Sequence, residues 1–157
     1  MPLKVSGAIE TEQIFLNIDT TAKKRIRAAL IKCAYGIRDA ARRMAPRDTG
    51  DLEKGIKVRG DIGGARDALG RFARVEVEVF IDMDMPVEDR PGKTLGDYAY
   101  EMHEHLTPYG PLKLGPKSQA KQSANPDMVI GGGFLERALD MFNKTVDAEL
   151  LDIVRDL

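Results

Sequence analysis

The sequence predicts an α+β fold: two long helices packed on a small, mainly antiparallel sheet, with a long loop before the C-terminal helix. Three observations predict it. Apolar residues recur at helical spacing in two long stretches, one near each end of the chain. Between them Arg74–Met83 alternates, with Val75, Val77, Val79 and Ile81 on one side and Glu76, Glu78, Phe80 and Asp82 on the other. A third stretch, Thr107–Pro126, holds four prolines, two glycines, three lysines and no acid, so it has little means of burying itself. At 157 residues the chain suits one domain, 1–157, with one core.

Each element follows in order. Leu3, Val5, Ile9, Ile14, Leu16 and Ile18 alternate loosely, as in one or two short strands. Asp19 or Thr20 can cap a helix, because a side-chain oxygen there accepts an otherwise unpaired first-turn N–H. Ile26, Leu30, Cys33, Ile37, Ala40 and Met44 then follow at spacings of 4, 3, 4, 3 and 4, one stripe on a helix ending near Met44. At about 1.5 Å per residue that helix is on the order of 36 Å long. Pro46 cannot continue the ladder and pushes Ala45 out of helical geometry. Asp48 or Thr49 can cap a short turn, with Asp51 and Glu53 suited to its positive end. Gly55 ends that turn and Ile56-Lys57-Val58 begins a strand. Gly60–Gly70 reads as a hairpin loop and Met85–Lys93 as a Pro/Gly loop. Tyr98–Leu106 predicts a short helix. Thr107–Pro126 predicts an extended, mobile loop, and such a length without structure in a small domain implies either a role or disorder. A last helix starts near Gly133 and carries Phe134, Leu135, Ala138, Leu139, Phe142, Val146, Leu150, Ile153 and Val154 as its apolar stripe.

Composition excludes several classes. No apolar run approaches the roughly 20 residues of a membrane helix. The first residues, Met1-Pro2-Leu3-Lys4-Val5-Ser6, lack a signal-peptide layout, so the expectation is a cytoplasmic chain. The single Cys33 cannot form an internal disulfide. Tryptophan is absent, so the core rests on aliphatic side chains. The net charge of −1 hides an asymmetry: nine Lys or Arg against one acid over Thr20–Arg47, and six acids against three bases from Phe134 onward.

Candidate chemistry is thin. Glu101, His103, Glu104 and His105 contain zinc-ligand types, but i and i+2 on a helix diverge instead of sharing a face. Cys33 lies on the apolar stripe, where a small buried hydrophobe is expected. Gly131-Gly132-Gly133 could cradle an anion before the last helix, yet Phe134-Leu135 follows where a phosphate loop needs Lys-Ser/Thr; a flexible hinge is the expectation. No catalytic residue, cofactor or metal site is assigned.

Three runs carry a resemblance: Ala45-Pro46-Arg47-Asp48-Thr49-Gly50-Asp51-Leu52, Tyr98-Ala99 followed by His103-Glu104, and Gly132-Gly133-Phe134-Leu135 with Ala138-Leu139. Their order resembles the neck and tail-completion (head–tail joining, minor tail) family of long-tailed double-stranded-DNA bacteriophages over residues 20–145. Where many members carry Glu-aromatic-Gly, this chain has His103-Glu104-His105. The resemblance implies a non-enzymatic virion protein, assembled in the host cytoplasm and lodged at the head–tail junction. It would form a six- or twelvefold ring, contact connector, head-closure and tail-terminator or tail-tube proteins, and leave a channel for DNA. Interface residues implied by it are Ala45, Pro46, Asp48, Thr49, Gly50, Leu52, Tyr98, His103, Glu104, Gly132, Phe134 and Leu135.

The residues themselves add two candidate contacts. Lys113, Lys117 and Lys121 would serve an assembly loop, and Lys24, Arg27, Arg38 and Arg42 a basic face toward a neighbour. The acidic strand face of Glu76, Glu78 and Asp82 would suit a lumen through which DNA slides. The alternative is a nucleic-acid-binding protein that uses the basic helix, although no recognition motif or stacking aromatics accompany it. A zinc-dependent hydrolase would need metal on His103 and His105.

Overall fold

Helix α1 runs over Thr20–Met44, with Ala22, Ile26, Cys33, Ile37, Ala40, Ala41 and Met44 buried along one stripe. The computed structural model describes residues 20–60, 76–104, 106–107, 110–111 and 113–156. The strands expected over 3–18, Asp19, most of the 60–70 loop, Arg74, Val75 and His105 lie outside the described residues. At the end of α1 the Ala45 N–H still bonds the Ala41 carbonyl at 2.8 Å. Pro46, also buried, then stops the ladder as its ring and missing N–H dictate.

The next element corrects an expectation. In helix α2 (Asp51–Gly55) neither Asp48 nor Thr49 takes the N-cap position; Gly50 does, in left-handed backbone, φ 94°, which glycine adopts without steric cost. Thr49 serves the turn from one position earlier, its hydroxyl donating to the Asp51 carboxylate at 2.6 Å and accepting the Asp51 N–H at 3.4 Å. A Cβ on Gly50 would meet nothing within 4 Å, so Gly50→Ala probes the backbone alone. It should lower stability by about 1–2 kcal/mol, read as a lower denaturant midpoint with an unchanged slope.

Strand β1 (Ile56–Gly60) pairs antiparallel with β2 (Val77–Ile81), from Ile56 opposite Ile81 to Gly60 opposite Val77. Helix α1 lies against both strands. At Gly55, the last residue of α2, the packing is close: a Cβ there would overlap Leu95 Cδ1. After β2 the chain turns through a Pro86–Thr94 bridge and a 3-10 turn at Leu95–Asp97. Helix α3 (Ala99–Glu104) follows, then a short hairpin of β3 (Leu106–Thr107) and β4 (Gly110–Pro111).

The connection before the last helix carries a helix of its own. Residues 116–124, expected within an extended loop, form α4 (Pro116–Ala124), begun by a proline at its first turn. It lies on the protein through polar contacts, a mode that hydropathy patterning cannot register.

Helix α5 (Phe134–Arg155) runs antiparallel to α1. Arg25 pairs with Asp156 at 2.8 Å and Lys32 with Glu149 at 2.9 Å, while at the other end the Gly131 N–H bonds the Met44 carbonyl at 3.0 Å. Close packing requires Gly36 in α1: a Cβ there would stand 2.5 Å from the Phe142 ring. The core gathers Ile37, Ala41 and Met44 of α1, Leu52, Ile56 and Ile81 around the sheet, Leu95, and Phe134, Leu135 and Ala138 of α5. It is mainly aliphatic, with Phe134 as its largest fully buried side chain.

Candidate assembly site

Pro46 ends α1 abruptly, leaving last-turn carbonyls that no further helical N–H can reach. Lys121 of α4 reaches them. Its Nζ donates to the Arg42 carbonyl at 2.8 Å and the Ala45 carbonyl at 2.7 Å, and pairs with Glu53 Oε1 at 2.8 Å. A cation at a helix carboxyl end also meets the negative end of the dipole. Beside it, Ser118 forms a two-way bridge to Arg47, accepting its N–H at 2.8 Å and donating to its carbonyl at 3.0 Å. Lys117 donates to the Asp48 carbonyl at 2.9 Å. The first sequence run is therefore covered by α4.

Asp51 locks the same turn from below. It is almost fully buried, accepts the Thr49 hydroxyl, and accepts the Glu88 N–H at 3.0 Å. The Thr49 hydrogen bond, followed by that of Glu88 and the charge of Lys54, holds its carboxyl below the usual carboxylate range against the opposing effect of burial. Leu52 faces the core on the next position.

The second and third runs meet at the start of α5. His103 is buried and lies edge-on to Phe134, ring centroids 5.0 Å apart, with Nδ1 3.0 Å from Glu104 Oε1. Its backbone carbonyl accepts the Gly133 N–H. Tyr98 packs on the core cluster, and burial pushes its hydroxyl pKa up. The glycines expected to form a hinge are fixed instead. Gly131 (φ 145°) and Gly133 (φ 64°) need the left-handed side of backbone space, and their N–H groups are taken by Met44 and His103. Arg137 reinforces this, its guanidinium donating to the carbonyls of Gly132, Gly131 and Val129. Burial lowers its pKa. With those two N–H groups occupied, the glycine run is a junction of backbones.

The candidate basic face divides. Lys24 and Arg27 are exposed on α1. Arg38 instead pairs with Asp39 at 2.7 Å and stacks 4.6 Å over Tyr35. Arg42 is turned inward and donates to the Ile56 carbonyl at 2.8 Å, joining α1 to β1. On the strand face, Glu78 pairs with Arg59 at 2.7 Å and Asp82 with Lys57 at 2.6 Å, so its acids alternate with bases of β1. Of the loop lysines Lys113 is exposed, whereas Lys121 is committed within the subunit. Among the described residues, no three His, Cys, Asp or Glu come together to hold a metal, and no helix is long and apolar enough to cross a membrane.

Sequence reasoning passed over Asp51, Glu53, Ser118 and Arg137 as structural determinants. Asp51 and Glu53 sit where first-turn acids are ordinary, and Ser118 lies in a polar run. Only their distant partners distinguish them.

The described residues form an α+β subunit in which the three sequence runs meet through backbone hydrogen bonds and a shared core. Residues 16–83 match the family model described as "Bacteriophage HK97-gp10, putative tail-component", in agreement with the resemblance to phage neck and tail-completion proteins. The match spans α1 through β2 and the first sequence run; the second and third runs lie outside it and are tied to it by the Met44–Gly131 and His103–Gly133 hydrogen bonds. It supports a structural role in a bacteriophage tail. Comparison with curated proteins and with solved structures returns no match.

Proposed function

We propose that this chain is a neck or tail-completion subunit that assembles into a six- or twelvefold ring at the head–tail junction of a tailed phage. In this reading it joins the connector side to the tail tube and leaves a channel through which DNA passes without specific binding. The observation that carries the reading is the match of residues 16–83 to a phage tail-component family. The convergence of all three sequence runs at the α1–α3–α5 junction supports it, because residues of each run pack in one core. Lys24 and Lys113 are exposed and would face neighbouring subunits, and head-to-tail contact around a closed ring needs two different surfaces on each copy.

Size-exclusion chromatography with light scattering, on the chain alone, with DNA and with purified tail components, tests this. The expected result is a ring-sized species, or a monomer that ignores DNA and assembles only on tail components. A monomer or dimer that shifts onto DNA and is released by salt would overturn it in favour of nucleic-acid binding through α1, since phosphate contacts are lost with rising salt.

A further inference from the structure

Helix α4 has almost nothing apolar to hold it. Of its nine residues only Ser118 is buried, while Pro116, Ala120 and Ala124 are exposed. Nine residues are also too few for a helix to persist in water on propensity alone, where about 12–15 are marginal. What keeps α4 in place is a row of polar contacts: Ser118 to Arg47, Lys117 to Asp48, and Lys121 to two carbonyls and Glu53. Lys121 is the strongest of these. Its side chain is 11% exposed against 20% for Glu53, so the pair is shielded where the other ion pair of α4, Lys117 with Asp48, is open to solvent.

The segments on either side differ. Before α4 stands Gly115, exposed, with nothing within 4 Å of where a Cβ would lie. On the other side α4 is tied to the chain that follows it, Gln122 accepting the Ile130 N–H at 2.8 Å, and Gly131 and Gly133 beyond are bonded to α1 and α3. The two-helix core below does not depend on α4, because α1, α5 and the sheet bury their own apolar faces against each other.

We propose that α4 is a strap latched by Lys121, which opens as a unit while the core stays folded and thereby uncovers the carboxyl end of α1 and the Ala45–Leu52 turn. Opening exchanges polar contacts for water and exposes little apolar surface, so its free energy lies well below that of global unfolding. This device stands on the contacts of α4 and holds whether or not the chain forms a ring.

Amide hydrogen exchange on the full chain tests it. The expected result is that amides of Gln119–Ala124 exchange at least about tenfold faster than core amides of α1 and α5, with little dependence on denaturant. Lys121→Met, which keeps the stem but removes the charge and donors, should speed α4 exchange further and leave the core amides unchanged. If that variant fails to fold, Ser118→Ala on the same amides gives the same reading. Exchange of α4 in step with the core amides, with the same denaturant dependence, would overturn the proposal. So would an unchanged α4 rate in both variants.

Discussion

Phe134→Ala is expected to lower the unfolding free energy by about 3–5 kcal/mol, the range for emptying a large aromatic site in a close-packed core. Phe134 is fully buried and opens α5, where its ring meets His103 edge-on and joins the cluster of Met44, Leu52 and Leu95. The substitution therefore leaves a cavity at the junction of three helices, where backbone hydrogen bonds between Gly131, Gly133, Met44 and His103 restrict collapse. Against a total stability of about 5–15 kcal/mol for a domain, this is a large fraction. Phe134→Leu should cost distinctly less because it fills much of the volume. Urea unfolding with an unchanged slope is the measurement, and Leu151→Ala, at 55% exposure on α5, is the control, expected within about 0.5 kcal/mol of the parent. A Phe134→Ala loss no larger than the control's would mean that α5 does not anchor the core at this point.

Asp51→Ala is expected to cost about 2–3 kcal/mol near neutral pH, because it removes hydrogen bonds to a charged group and leaves the Glu88 N–H without its acceptor. It also predicts a change with pH. The Asp51 carboxyl is held below its ordinary range in the folded protein, chiefly by the Thr49 hydroxyl. A depressed folded pKa means that the unfolded chain takes up the proton first as pH falls. The contribution is complete above about pH 4, the ordinary carboxylate value, and is lost as pH falls through the lower folded value. Asp82, with Lys57 beside it, and Asp97, accepting the Thr94 N–H, are shifted the same way. The parent should therefore lose stability on acidification below about pH 4, and Asp51→Ala should lose less over the same interval. Thr49→Val should reproduce part of this difference, since it removes the hydroxyl that does most to hold the Asp51 carboxyl low. Parallel pH profiles for parent and Asp51→Ala would contradict the role assigned to this carboxylate.

Much of the fold was legible because it rests on local repetition. The stripe Ile26 to Met44 states a helix and its buried face in one pattern, and Pro46 states its end. The alternation of Val77, Val79 and Ile81 likewise states a strand; Ile81 is buried and Val79 packs on the core, while Glu78 and Phe80 on the other face are half-buried as well. The candidate site was legible only as three separate runs. Gly50 stands in the sequence within a capped turn, but that it takes the left-handed N-cap position is visible only in the folded backbone. Helix α4 escaped notice because its docking uses Ser118 and Lys121, and hydropathy has no signal for a residue buried through hydrogen bonds.

By itself, then, the sequence determined the two long helices, the strand pair, the proline stop and the order of the three runs, each written in spacings of a few residues. The tertiary structure alone decided how charge and backbone were partnered. It set Lys121 on the end of α1, Arg42 on β1, Arg59 and Lys57 among the strand acids, and Gly131 and Gly133 against Met44 and His103. Those partners stand far apart along the chain, and a polar group can satisfy itself with any acceptor that folding brings within about 3 Å. Which one it meets is fixed by the packing of the apolar faces, not by its own position in the sequence.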